Sequence, residues 1–254
     1  MKLIGNRKVL AGFAFFTAAL TFGVTFAPSG EKTNGALREE VVARIREMAT
    51  IPWTPSEDMV YWNPKFGVVF KRGEHYTGIP YTQRNRQTSV KCFRKHLDKD
   101  GRYIGPMDYL GSDCSSSVSN AWRAVDPQLP FLSTHLMFPG MGAIVAVGDY
   151  KVTSLDLTSK IIEDNGQETM FAAYDRLKPG DAVLTRSETD GHVRLVSKTA
   201  PDNQCIYIIE QSGVSADRRM VGDHSTWRVD REITYAGLYS DNYVPITHKS
   251  LFFE

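Results

Sequence analysis

Two residues stand where acyl-transfer chemistry can begin. Cys114 lies in the stretch Gly111-Ser112-Asp113-Cys114-Ser115-Ser116-Ser117. Ser and Asp are favoured N-caps, and Val118, Ala121, Trp122 and Val125 follow at helical spacing, so a helix is expected to start beside Cys114. A thiol attacks as its thiolate, and an anion in the first turn of a helix is stabilised by the macrodipole. Small neighbours leave the sulfur accessible and let backbone N–H groups face an oxyanion. The plain alternative is a buried structural cysteine, packed as a small hydrophobe at the head of the apolar face.

His192 opens the run His192-Val193-Arg194-Leu195-Val196, just after the turn Thr189-Asp190-Gly191. A catalytic base must sit on a rigid element and face a cleft, and the start of a core strand meets that need. A solvated strand-end histidine is the competing reading. His75, His96, His135, His224 and His248 stand in loop-like or polar contexts. A third group usually orients the imidazole. The run Cys205–Gln211 would pair with the His192 strand, and it ends in Glu210 and Gln211, which point to opposite faces. Either can hydrogen-bond the ring, and two polar residues are also simply how strands stop.

The elements that must position these groups are read as follows. Residues 28–36 form a linker. Residues 37–49 are an amphipathic helix with Leu37, Val41, Val42, Ile45 and Met48 on one face. Prolines 52 and 55 break it. Residues 58–111 are loop-rich and aromatic, with a strand at Gly67–Phe70. Trp53, Trp62, Phe66, Tyr76, Tyr81 and Tyr103 either line a cleft or pack as core. Ala143–Val147 is a short strand, and residues 156–176 are helical in part. Strands at Ala182–Thr185, His192–Ser197, Cys205–Gln211 and Glu232–Tyr239 form a meander. Helices followed by an antiparallel sheet give the class α+β.

The N-terminus reads as an export signal. Lys2, Arg7 and Lys8 precede an uncharged run from Val9 to Ala27. Cleavage after Ala27, near Gly30 or at Ala36 all fit, and so does an uncleaved anchor, the one expected membrane contact. Residues 1–30 are thus set apart from a single domain over 31–254. Losing them removes three positive charges and no negative one, taking the net charge from +1 to −2. No bulk field points to nucleic acid. The three cysteines, Cys92, Cys114 and Cys205, leave an odd thiol, with Cys92–Cys205 as the pair open to a bridge. No metal-ligand spacing occurs, and no cofactor is expected.

Four short motifs together carry a resemblance. Asp113-Cys114-Ser115 followed by Val118, Leu177-Lys178-Pro179-Gly180-Asp181-Ala182-Val183, Gly191-His192-Val193 and Gly78-Ile79-Pro80-Tyr81 resemble, in order, motifs of the NlpC-type cell-wall peptidases. They cover about residues 75–215. The resemblance implies a papain-like cysteine hydrolase fold, with the nucleophile at a helix N-terminus packed on the sheet that carries the histidine. It makes Cys114 the nucleophile, His192 the base and Glu210 the nearest match to the third residue. Tyr81, Ser115, Asp113 and Gln211 are then placed at the oxyanion or substrate. The implied substrate is a stem peptide of peptidoglycan, acted on by a monomeric exported enzyme. The chain departs from the family at Ser116, where Gly is usual, and at Glu210, where His, Asn or Gln is usual. Residues 37–75 read as an N-terminal extension and 126–176 as an insertion. Two other readings stand beside this one: a papain-like amidase or acyltransferase on a non-wall substrate, and an inactive secreted binding module.

Overall fold

The computed structural model describes residues 33–60, 69–84, 86–106, 110–213 and 225–252. The expected signal segment, Trp62, Phe66, His224 and the Gly67 end of one expected strand lie outside them.

Helix α1, Asn34–Thr50, starts at Thr33, whose Oγ1 accepts from Ala36 N at 3.3 Å. Its apolar residues fall as the spacing predicts, with Val41, Ile45 and Met48 fully buried. The helix belongs to the core: it packs on α3, Cys114–Trp122. Arg38 fixes its outer end. That guanidinium donates to Asp181 Oδ1 at 2.8 Å, to Pro179 O at 2.9 Å and to Leu251 O at 2.6 Å. The turn at Lys178–Asp181 is therefore an anchor for two helices, because Gly180 O also accepts the Trp122 indole N–H from α3 at 2.9 Å.

The main sheet has six strands: β6 Ile144–Ala146, β7 Ala182–Arg186, β8 Gly191–Ala200, β9 Cys205–Gln211, β10 Trp227–Thr234 and β11 Val244–His248. Their order is β10-β9-β8-β7-β11-β6, with every neighbouring pair antiparallel. Strands β7 to β10 form the expected meander. A smaller sheet pairs β1, Pro52–Pro55, antiparallel with β4, Tyr76–Thr77, and parallel with β5, Arg102–Tyr103. Strands β2, Met59–Val60, and β3, Val69–Phe70, form a two-stranded ribbon. The remaining described elements are helices α2, Val90–Arg94, α4, Thr158–Tyr174, α5, Tyr235–Ser240, and α6, Lys249–Phe252, with short 3-10 turns at Thr134–Met137 and Pro201–Asn203. The class is α+β.

One expected strand changes, and two open readings take a definite form. The run Glu232–Tyr239 is not one strand: β10 stops at Thr234, whose Oγ1 accepts from Gly237 N at 3.1 Å and starts α5. Tyr235 and Leu238, three apart, then bury on one helical face. Residues 126–176 are built into the body, since β6 extends the main sheet beside β11 and α4 packs on β7, β11 and α5. Trp53, Phe70, Tyr76, Phe93 and Tyr103 pack on one another, with ring centroids 5.2 Å apart for Trp53–Phe70 and 5.9 Å for Trp53–Tyr103. They make a core cluster for the small sheet. The three cysteines are free thiols.

Candidate active site

The nucleophile candidate owes its place to the cap of α3. Asp113 is the N-cap: its Oδ1 accepts from Ser116 N at 2.8 Å, and Ser116 Oγ accepts from Asp113 N at 2.8 Å. This reciprocal pair is a capping box. It explains Ser116, which a glycine could not replace without losing half the box. The cap uses the N–H groups of Asp113 and Ser116 and leaves those of Cys114 and Ser115 for another acceptor. Ser115 Oγ donates to Asp113 Oδ1 at 3.0 Å, and Arg86 pairs with Asp113 Oδ2 at 3.1 Å. Both oxygens of Asp113 are thus engaged within the protein. Cys114 is 8% exposed.

Residues 78–82 run alongside this helix start. Ser112 N donates to Pro80 O at 3.1 Å and Thr82 N to Ser112 O at 3.0 Å, which sets Tyr81 beside Ser112. The Tyr81 hydroxyl accepts from Gln83 Nε2 at 3.1 Å. Gly78 makes the path possible. Its φ is +80°, and a Cβ there would lie 2.3 Å from Trp227 Cδ1 and 2.7 Å from Ala49 O. Ile79 O accepts from both Trp227 Nε1 and Gln211 Nε2 at 2.8 Å. Gln211 also accepts from Ser112 Oγ. Gln211 therefore ties β9 to the approach of the helix.

Glu210, the next residue, turns to His192. His192 Nε2 lies 2.7 Å from Glu210 Oε2. The Cys114 thiol acts on the same ring, by hydrogen bonding and by charge. Burial favours the neutral imidazole, but hydrogen bonds and charge from Cys114 and Glu210 outweigh it and raise the pKa to about 9. Burial likewise works against the Glu210 carboxylate. The His192 hydrogen bond and the Arg194 charge overcome it and bring the pKa down to about 2. Near neutral pH the pair is an imidazolium and a carboxylate, and Nε2–H is the donor.

Three arginines converge on the same carboxylate, and the sequence reading did not include them. Arg194 Nε donates to Glu210 Oε2 at 2.8 Å, Arg231 Nη1 to Oε1 at 3.2 Å, and Arg228 Nε stands 3.8 Å from Oε1. Glu210 is 3% exposed, so these partners provide the charge compensation that burial demands. The Arg194 guanidinium also lies over the Tyr243 ring, 4.3 Å from its centroid. A signal for Arg194 was present: it follows His192 by two on a strand and shares its face. Arg231 had none, because β10 has a register shift between Arg228 and Arg231.

The structure thus gathers Cys114, His192 and Glu210 in one site, with Ser115 in the same helical turn as the sulfur and Tyr81 beside its approach. It engages Asp113 in the cap and Gln211 in the link to Ser112. Among the described residues no group of His, Cys, Asp and Glu side chains could hold a metal. No family model, curated protein or solved structure matches the chain.

Proposed function

We propose that the chain is a papain-like cysteine hydrolase of NlpC type, exported from the cell, that cleaves an amide bond in peptidoglycan stem peptides. The observation that carries the reading is the grouping of Cys114, His192 and Glu210, with the sulfur in the first turn of a capped helix and the imidazole favoured as a cation. The export signal and the wall substrate rest on the N-terminal charge pattern and the motif resemblance.

In the proposed reaction the Cys114 thiolate attacks the amide carbonyl, and a C–S bond forms. The developing oxyanion takes hydrogen bonds from the N–H groups of Cys114 and Ser115, which the cap leaves unused. Tyr81, along the same wall, borders the substrate. His192 gives its proton to the leaving nitrogen as the C–N bond breaks. It then takes a proton from water, which attacks the thioester and releases the acid. Glu210 balances the imidazolium before the C–N bond breaks and again once the ring has taken a proton from water, and no step needs a metal or cofactor.

Digestion of purified cell walls by the wild type and by Cys114→Ala, with fragments identified by mass, tests this. New stem-peptide ends should appear with the wild type alone. The same fragments from both proteins, or none from either, would remove the assignment. Cleavage of casein or small acyl esters, without wall cleavage, would move it to the non-wall amidase or acyltransferase.

A further inference from the structure

We propose that the groove between α1, α2 and the end of α3 binds a linear, base-free chain of repeated phosphates, a polyphosphate-type polyanion, at a site separate from Cys114. The groove encloses about 450 Å³ and is bordered by Arg44, Glu47, Lys91 and Arg123. It continues through Glu47 and Lys91 into a second hollow of about 440 Å³ that adds Arg94 and Lys95. Five cations therefore face one carboxylate. Arg94 already engages that carboxylate, at 2.9 Å. Among the described residues no acid lies within ion-pairing distance of Arg44, Lys91, Lys95 or Arg123.

Two of these cations are held in place before any ligand arrives. Arg123 Nε donates to Leu129 O at 2.7 Å, and its guanidinium carbon lies over the Phe131 ring, 3.8 Å from the centroid. Arg44 Nη1 donates to Asn120 O at 3.3 Å. Each guanidinium spends one N–H on a carbonyl and keeps others, in the planar fork that suits a phosphate. They also repel: burial first, and then the Arg44 charge, lowers the Arg123 pKa. An anion between them would relieve that repulsion. The chain carries only +1 overall, so the local excess is a feature of this groove rather than of the bulk.

The shape favours a chain over a bilayer or a base-bearing strand. Two joined hollows accept a linear ligand. Insertion into a membrane interface uses apolar side chains, and among the described residues the exposed large ones, Ile104, Leu136, Val152, Leu155, Val229 and Phe252, border neither hollow. Single-stranded nucleic acid is gripped by stacking on open aromatic faces, and the Phe131 face is covered by Arg123.

The test is calorimetric titration of the full chain with inorganic polyphosphate across a salt series. Phosphatidylglycerol vesicles and a deoxyoligonucleotide of equal charge serve as comparison ligands. Polyphosphate should bind more tightly than either, with log K falling against log salt by about 0.7 per phosphate contacted. Arg44→Gln with Lys91→Gln should weaken binding roughly tenfold, and Arg123→Lys should retain more affinity than Arg123→Gln. Lys91→Gln alone, at an exposed side chain, keeps the test open if the double variant does not fold. Absence of polyphosphate binding, binding that the substitutions leave unchanged, or tighter binding of vesicles or oligonucleotide would each overturn the proposal.

Discussion

At the scale of the residue, a buried carboxylate shared by one imidazole and three guanidiniums cannot be exchanged for a neutral group cheaply. Glu210→Gln would leave Arg194 and Arg231 without their acid. The expected loss is about 3–5 kcal/mol, read by urea denaturation. Activity should fall roughly a hundredfold or more as His192 loses its orienting charge. Arg194→Gln has a different signature. Arg194 and His192 donate to the same oxygen, Oε2, at 2.8 and 2.7 Å. Without the guanidinium the carboxylate acts on His192 alone, so the imidazole pKa should rise further. NMR titration of the ring should show it, and the alkaline limb of the activity profile should move upward in pH. A downward move would contradict the shared-oxygen account. The two residues most readable from sequence were Cys114 and His192, since each stood beside its own local cue, a cap and a turn. The choice between Glu210 and Gln211 was not readable, because strand alternation says that they diverge but not which face meets the histidine.

At the scale of the element, α3 and the segment at Gly78 set the geometry. Asp113→Ala removes the N-cap and should cost about 1 kcal/mol, within the usual range of about 0.5–2, while Asp113→Asn should recover most of it. Gly78→Ala combines a left-handed backbone with a clash against Trp227 and Ala49. Gly73 has nearly the same φ, +79°, with nothing within 4 Å of a new Cβ, so Gly73→Ala isolates the backbone part. Gly78→Ala should lower the melting temperature clearly more than Gly73→Ala does, and equal effects would mean that the contact is not tight. The helices α1 and α3 and the strands β7, β8 and β9 were legible from periodicity and turn residues. Strand β11 was not: Pro245 sits inside it, and proline demotes a run that would otherwise read as a central strand. Here Pro245 still contributes its carbonyl, which accepts from Val147 N at 3.1 Å and Tyr150 Oη at 2.8 Å. The run after Glu232 misled because Tyr235 and Leu238 fit a short helix only once Thr234 caps it.

At the scale of the whole molecule, the near-zero net charge hides two concentrations of arginine and lysine, one around Glu210 and one along α1, α2 and α3. Composition alone could not separate them, since it carries no position. The first concentration shapes the pH dependence of stability. His192 is raised from 6.5 to about 9, so its contribution is full below about pH 6.5 and is lost as pH rises through 9. Glu210 is lowered from 4.5 to about 2, so its contribution is full above about pH 4.5 and is lost as pH falls through 2. Both act fully between those bounds. Urea midpoints should be highest there, and Glu210→Gln should flatten both limbs. The central claim, that Cys114 is a working nucleophile paired with His192, meets its most direct test in iodoacetamide alkylation at pH 6, followed by mass spectrometry of the Cys114, Cys92 and Cys205 peptides. Cys114 should react faster than the same residue in the denatured chain, and His192→Ala should abolish the difference. A Cys114 that reacts no faster folded than unfolded, or equally fast without His192, would contradict the account.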